Sequence, residues 1–342
     1  RGNGMAVSDD AYFGNFIGMA GGGILENPLF WFVIFVLLTA AVVLLGVDKG
    51  VEKASSVMMP VLVLLSVGIS IYCMTLPGAS EGLKYYLLPD FADFSVTTVL
   101  AAMGQLFYSM SLAMGIMITY GSYMKKEDNL ERSVGQIEIF DTGIAFLAGL
   151  MIVPAVVAFN GGDASLIRGK AGPGLMFGVL PMVFESFPLG GAVGALFFLL
   201  VFFAALTSSI SLLETVVSIL TDKTRLTRRS ATVLSTAGIL LLGIPSCLGY
   251  GPWGHITILK MQFLDFFDFI SNSVMMPIAA IATCLLVSRV VGVERIEHEV
   301  TLEGGSFRRK KVFNFMIRWL CPVFAAIILA SSVANAFGII AM

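Results

Sequence analysis

Charge is what this sequence has least of. Asp, Glu, Lys and Arg make up only 13% of its 342 residues, about half the share in an ordinary soluble domain. With 57% apolar residues, such a chain has too few polar groups to keep a surface wet, which excludes a water-soluble globule. A mean hydropathy of +0.90 makes a bilayer its solvent. Basic residues number 21 against 23 acidic ones and fall in short clusters, so there is no electrostatic footprint for nucleic acid. The four cysteines, Cys73, Cys247, Cys284 and Cys321, are far apart and lie in or beside apolar stretches. They read as small hydrophobes, not as a disulfide or zinc set. Histidine is nearly absent: His255 and His298 stand in no metal-spaced cluster, and Glu297-His298-Glu299 is not H-E-x-x-H. Gly78-Ala79-Ser80-Glu81-Gly82 fits G-x-S-x-G, but no strand precedes it, so a nucleophile elbow has no scaffold. These absences argue against an enzyme. The chain opens on Arg1 with no signal peptide, which leads us to expect a sequence incomplete at its N-terminus.

Long apolar runs are present instead. A membrane span needs about 20 such residues, and eight stretches qualify: 28–46, 54–76, 97–123, 135–158, 192–220, 231–249, 262–288 and 313–338. The expected fold class is an all-α polytopic membrane protein. Alternate connections differ in basic content. One set holds Lys49, Lys53, Lys125, Lys126, Arg132, Lys223, Arg225, Arg228, Arg229, Arg289, Arg295, Arg308, Arg309, Lys310, Lys311 and Arg318; the other holds Arg1, Lys84, Arg168, Lys170 and Lys260. The positive-inside rule puts the richer set in the cytoplasm. The chain then starts outside, and its eighth span returns outside. Residues 159–191 form a long outer connection, a length typical of functional lids, with a solvated linker as the plain alternative.

Polar groups inside apolar helices are costly unless paired, so each needs a reason. Asp141 stands near the start of the fourth stretch, where a helix-start carboxylate stabilised by the helix dipole is the simple explanation. Glu214 lies deep in the fifth stretch, and its partner is open. The run Gly104-Gln105-Leu106-Phe107-Tyr108-Ser109-Met110-Ser111-Leu112-Ala113-Met114-Gly115 places two serines and small residues in mid-membrane. Such a run can break a helix and free backbone carbonyls around a cavity; back-bonded serines and close-packed glycine explain it equally well. In the fifth stretch, Thr207 and Ser208 follow Ala204 by three and four residues. Two hydroxyls and a carbonyl one turn back offer three oxygens to a hard monovalent cation, although a small-residue packing face has the same pattern. Asp265 and Asp268 stand at the outer mouth of the seventh stretch, and Asp222 at the cytoplasmic end of the fifth.

Several of these motifs resemble one family. Gly104 to Leu112, followed by Ile118-Thr119-Tyr120-Gly121-Ser122-Tyr123, resembles the broken sixth helix of the neurotransmitter:sodium symporters. Phe203-Ala204-Ala205-Leu206-Thr207-Ser208-Ser209 resembles their eighth helix, and Gly50-Val51-Glu52-Lys53 through Met59-Pro60 the start of the fifth. The likeness runs along essentially the whole chain in order, so that the eight stretches correspond to helices four to eleven of an inverted-repeat sodium symporter fold. It implies one transmembrane transporter domain over 1–342, lacking helices 1–3, with 159–191 as its outer lid. It further implies a multi-pass protein of the cell's inner membrane that imports an amino acid with sodium. The same fold carrying another small amine or a compatible solute, or serving as a non-transporting membrane scaffold, are the rival readings.

The resemblance also assigns residues. Ser109 and Asp141 match ligands of a first sodium site, completed by the substrate carboxylate. The Ala204 carbonyl with Thr207 and Ser208 matches a second. Tyr108, Ser109, Ser111, Met114, Ser208 and Leu212 match the substrate site. Asp268 matches the outer gate, whose arginine partner would lie on the absent helix one, and Asp222 with Tyr123 the cytoplasmic gate, whose arginine partner is likewise absent. Many relatives have Asn where Asp141 stands and an aromatic where Met114 stands. A built-in carboxylate at 141 implies that chloride is not required, and Tyr108, Met114 and Leu212 imply an apolar or aromatic substrate. Nothing in the sequence sets the oligomeric state.

Overall fold

The computed structural model describes residues 12–89, 91, 94–164, 167, 173–302 and 306–337. All eight apolar stretches are helical. The only extended pairing among the described residues is an isolated bridge between Ile258 and Met261. Helix α1 is Pro28–Leu44 and α2 is Lys49–Met74. The third stretch is broken into α3, Val96–Ser109, and α4, Ile116–Tyr123. Then follow α5, Leu130–Phe159; α6, Leu180–Glu185; α7, Gly190–Lys223; α8, Arg228–Leu248; α9, Phe263–Val291; and α10, Lys310–Ala336. Six of these are long and apolar enough to cross a membrane; α1, at 17 residues, is shorter. The family's sixth-helix break thus appears as a real interruption, not as one continuous span over 97–123.

Local chemistry sets the ends. Asn27 caps α1 by accepting the Leu29 amide at 2.9 Å, with Pro28 at the first helical position, where its missing N–H is no loss. Thr227 caps α8 through the Ser230 amide. Pro60, Pro154 and Pro245 lie inside helices, as membrane helices tolerate. Short π-helical turns interrupt the α-geometry at Val47–Glu52, Phe269–Met275, Leu286–Val291 and Met316–Leu320.

The chain divides into two compact units, Arg1–Phe91 with Gly143–Thr257, and Ala92–Thr142 with Ile258–Met342. In the first, the core brings Leu62, Ile69 and Cys73 of α2 against Met151, Ala155 and Val156 of α5 and Phe197 and Leu200 of α7. At its centre lie Val179, Leu180, Val183 and Phe184 from the 159–191 connection. The stretch from Leu175 to Phe187 is therefore no solvated linker. Phe184 and Phe197 meet with ring centroids 5.3 Å apart. Gly82, on the short helix Ala79–Leu87, lies so close to α5 that a Cβ there would sit 2.6 Å from the Cα of Pro154. Residues 165, 166 and 168–172 of this connection, including Arg168, Gly169 and Lys170, lie outside the described residues.

The second unit holds α3, α4, the start of α5, α9 and α10. Its polar end is tied by ion pairs. Arg309 donates to Glu138 at 2.6 Å and Lys310 to Glu297 at 2.6 Å. Glu131 accepts the amides of Arg308 and Arg309 at 3.1 and 3.3 Å. The hydrogen bond to Glu138, reinforced by that carboxylate's charge, holds the Arg309 guanidinium above its usual pKa.

Candidate functional site

The site begins with the break between α3 and α4. Ser111, Ala113 and Gly115 have φ of 52°, 61° and 83°. The left-handed region suits Gly115, whereas Ser111 and Ala113 carry a Cβ that disfavours it by about 1–3 kcal/mol each. Strain of this kind persists only where surrounding structure enforces it. The amides of Met110, Ser111 and Leu112 still turn back to the carbonyls of Leu106, Tyr108 and Phe107, and α4 opens with the Thr119 amide on the Gly115 carbonyl. The Ser109 hydroxyl does not bond back to its own helix among the described residues. It donates to Asp141 Oδ1 at 2.6 Å, joining the last residue of α3 to α5. Asp141 is eleven residues past the start of α5 at Leu130. The helix-start explanation for this carboxylate is thereby corrected, since a helix dipole acts only within the first turn. A carboxylate and a hydroxyl beside the irregular backbone of the break form a donor set of oxygens, the kind a hard cation prefers.

A second group of oxygens lies on α7 in the first unit. Thr207 is buried, and its hydroxyl lies 3.0 Å from the carbonyls of both Phe203 and Ala204, donating to them. This hydroxyl is back-bonded to its own helix, and the residue is packed as a small-residue face would have it. The same geometry brings the Thr207 and Ala204 oxygens together. Ser208 is exposed, and its hydroxyl has no hydrogen-bond partner among the described residues. Leu212, one turn further along α7, is 46% exposed.

The other expected residues are distributed as follows. Ser111 and Met114 lie in the break and are half-buried. Tyr108, in the last turn of α3, lines a cavity of about 170 Å³ within the second unit, together with Gly104, Phe107, Asn272, Met276 and Ser332. Asp268 lies at the junction of α-helical and π-helical geometry in α9 and accepts Asn272 Nδ2 at 2.5 Å. Asp222 is exposed in the last turn of α7, with no ion-pair partner among the described residues. Tyr123 ends α4 and meets Tyr120 edge to face at 6.4 Å.

Two features escaped the sequence reading. Asn272 is the partner of Asp268, one turn on along the same helix, a spacing that could have flagged it. Glu214, fully buried, is paired with Arg228, the first residue of α8. Both guanidinium Nη atoms reach the carboxylate, and the Nε and Nη2 also donate to the carbonyl of Val43 at 3.3 and 3.0 Å. One side chain therefore holds α7, α8 and the C-terminal end of α1. Among the described residues no group of three or more His, Cys, Asp or Glu could hold a metal ion.

The model of the sodium:neurotransmitter symporter family matches residues 15–339. The chain belongs to that family. Its relatives include the uncharacterised sodium-dependent transporter YhdH of Bacillus subtilis, 35% identical over 306 residues, with 88% of this chain and 66% of that protein aligned. An uncharacterised sodium-dependent transporter of Haemophilus influenzae is 33% identical over 89% of this chain and 65% of its own length. The chain thus spans about two thirds of these relatives. Among solved structures, the crystal structure of MhsT in complex with L-phenylalanine aligns with a TM-score of 0.80 and 35% identity, over 94% of this chain and 70% of that one. The fold is that of a multi-pass membrane transporter, and the family is one of transporters, not enzymes.

Proposed function

We propose that the protein is a sodium-coupled symporter of the cell's inner membrane that imports an apolar or aromatic amino acid by alternating access. The observation that carries this reading is the Ser109–Asp141 bond beside the broken helix. An acid deep in a membrane helix, joined to a hydroxyl at a helix break, is suited to binding a small cation and a zwitterion together. In this reading Ser109 and Asp141 hold the first sodium ion, which also touches the substrate carboxylate. The Ala204 carbonyl, Thr207 and Ser208 hold the second. Because one ligand of the first ion is the substrate itself, sodium and amino acid each raise the other's affinity by the same factor.

Tyr108, Ser111 and Met114 at the break, and Ser208 and Leu212 on α7, are the proposed substrate contacts. None carries a charge, and Met114 is deformable, which favours an apolar or aromatic side chain. The relation to MhsT, whose crystal structure contains L-phenylalanine, supports the same class. Asp268 serves as the outer gate, with Asp222 and Tyr123 as the cytoplasmic one. Asp141 supplies the negative charge that two sodium ions need in a poorly solvating site, so chloride is not required. The test is binding of radiolabelled Phe, Leu, Trp, Lys and Glu to the full-length protein, in sodium and in potassium. Saturable, sodium-dependent binding of Phe, Leu or Trp is expected. Absence of binding in sodium, or stronger binding of Lys or Glu, would overturn the proposal.

A further inference from the structure

The two helix ends that flank the last connection carry basic residues with no role in transport as proposed above. Arg289 lies in the π-helical last turn of α9, Leu286–Val291, and Arg318 in the π-helical turn Met316–Leu320 of α10. These two turns pack against each other within the second unit. Arg289, Arg308, Lys311 and Arg318 are all exposed. Among the described residues none of the four side chains makes an ion pair or hydrogen bond.

The acids nearby are already engaged. Glu138 holds Arg309, Glu297 holds Lys310, and Glu131 takes the amides of Arg308 and Arg309. Those bonds fix the start of α10. Glu294 and Glu299, on the intervening helix Val293–Val300, pair with none of the four cations. Like charges brought to adjoining turns without an acid between them repel, and a bound anion relieves that repulsion.

Apolar side chains stand exposed beside these charges. Val290 is 75% exposed, Val312 63%, Phe315 58% and Trp319 68%. On α10, Lys311, Phe315, Arg318 and Trp319 recur at helical spacing. Depth supports the same conclusion. Helix α10 has 27 residues, about 40 Å of rise, against a hydrocarbon core of about 30 Å. The excess of about 10 Å at this end sets about seven residues, Lys310 to Met316, at headgroup level, where Lys and Arg face phosphates, and the long Arg318 side chain, under one turn deeper, snorkels to the same level. By the distribution of basic residues this is the cytoplasmic leaflet.

We propose that this face, with cations from Arg289, Lys311 and Arg318 and apolar contacts from Val290, Phe315 and Trp319, binds an anionic phospholipid of the inner leaflet. Juxtamembrane basic clusters recognise such lipids. The flanking exposed apolar residues match acyl chains and give free phosphate nothing to contact, so the lipid is the occupant.

The full-length protein is reconstituted in nanodiscs with equal parts phosphatidylcholine and phosphatidylglycerol, the latter including a photoreactive analogue. Labelled peptides are then identified by mass spectrometry. Label on the peptides spanning 286–291 and 311–320 is expected, undiminished by inorganic phosphate. The triple variant Arg289→Gln, Lys311→Gln, Arg318→Gln should lose at least about fivefold of that label, since even one basic residue at a charged surface contributes that much. A double variant of basic residues elsewhere on the cytoplasmic side, Lys49→Gln and Lys53→Gln, should leave it unchanged. Label confined to other helices, equal labelling by a phosphatidylcholine probe, or full competition by phosphate would each overturn the proposal. Because these results come from the unaltered protein, the test holds even if the triple variant fails to fold.

Discussion

Replacing Arg228 by Leu strands a carboxylate. Glu214 has no exposed surface, and the Arg228 side chain is 31% exposed, so the pair is sheltered on the acid's side and partly open on the base's. Removing one member of such a buried pair costs about 3–5 kcal/mol, mostly from the uncompensated charge left behind. The lost donors to the Val43 carbonyl add to this, though that oxygen keeps the Gly46 amide at 3.1 Å, so their share is the smaller one. Arg228→Lys keeps the charge but loses the fork that reaches Glu214 and Val43 at once; about 1–2 kcal/mol is expected. Glu214→Gln combined with Arg228→Leu removes both charges and should recover much of the single-variant loss. The assay is equilibrium unfolding of the full-length protein in mixed micelles of rising SDS fraction, read by tryptophan fluorescence, for wild type, both singles and the double. A cost below about 1 kcal/mol for Arg228→Leu, or strictly additive singles, would refute the reasoning, because groups in contact must couple.

Three further outcomes are expected. Thr207→Val with Ser208→Ala removes two hydroxyls and should weaken sodium binding by about 1–3 kcal/mol, measured as the sodium concentration that half-saturates amino-acid binding. An unchanged midpoint would remove these residues from the second site. Asp141→Asn should impair uptake when chloride is replaced by gluconate and be partly rescued by added chloride, whereas wild-type uptake should survive the replacement; a large wild-type loss in gluconate would refute the charge-balance argument. Gly82→Ala places a methyl 2.6 Å from the Pro154 Cα and 3.0 Å from the Val153 carbonyl, and overpacking against backbone should lower stability by about 1–3 kcal/mol in the same micelle titration.

The parts of this fold legible in the sequence are those that depend on hydropathy along one helix. The eight stretches were readable because a bilayer demands unbroken apolar length, and their observed ends differ by a few residues where polar turns extend them, as at Leu130 and Arg228. Ser111, Ala113 and Gly115 make an interruption after Ser109 readable, yet it depends on left-handed backbone angles that composition alone does not impose. Asp141 is visible as a costly charge, but its depth in α5 is not, because the helix begins at Leu130, more than a turn before its apolar run. Contacts between distant segments were out of reach. Nothing in the spacing of Glu214, Arg228 and Val43 says that one guanidinium serves all three helices, since that depends on where packed helices bring their ends. The π-helical turns at Phe269–Met275 and Leu286–Val291 are equally hidden, because they lie within one apolar run that reads as continuous helix.

The buried segment of the 159–191 connection constrains the opening that the proposed transport would require. Val179, Leu180, Val183 and Phe184 have at most 2% of their surface exposed, and burying four such side chains stabilises their packed position by about 6–12 kcal/mol. That is comparable to the whole stability of an ordinary domain. Peeling the segment away on every cycle is therefore too costly to serve as a gate. In the proposed transport cycle it would act instead as a hatch fixed to its frame, with Val179 to Phe184 held on Phe197 and Leu200 of α7.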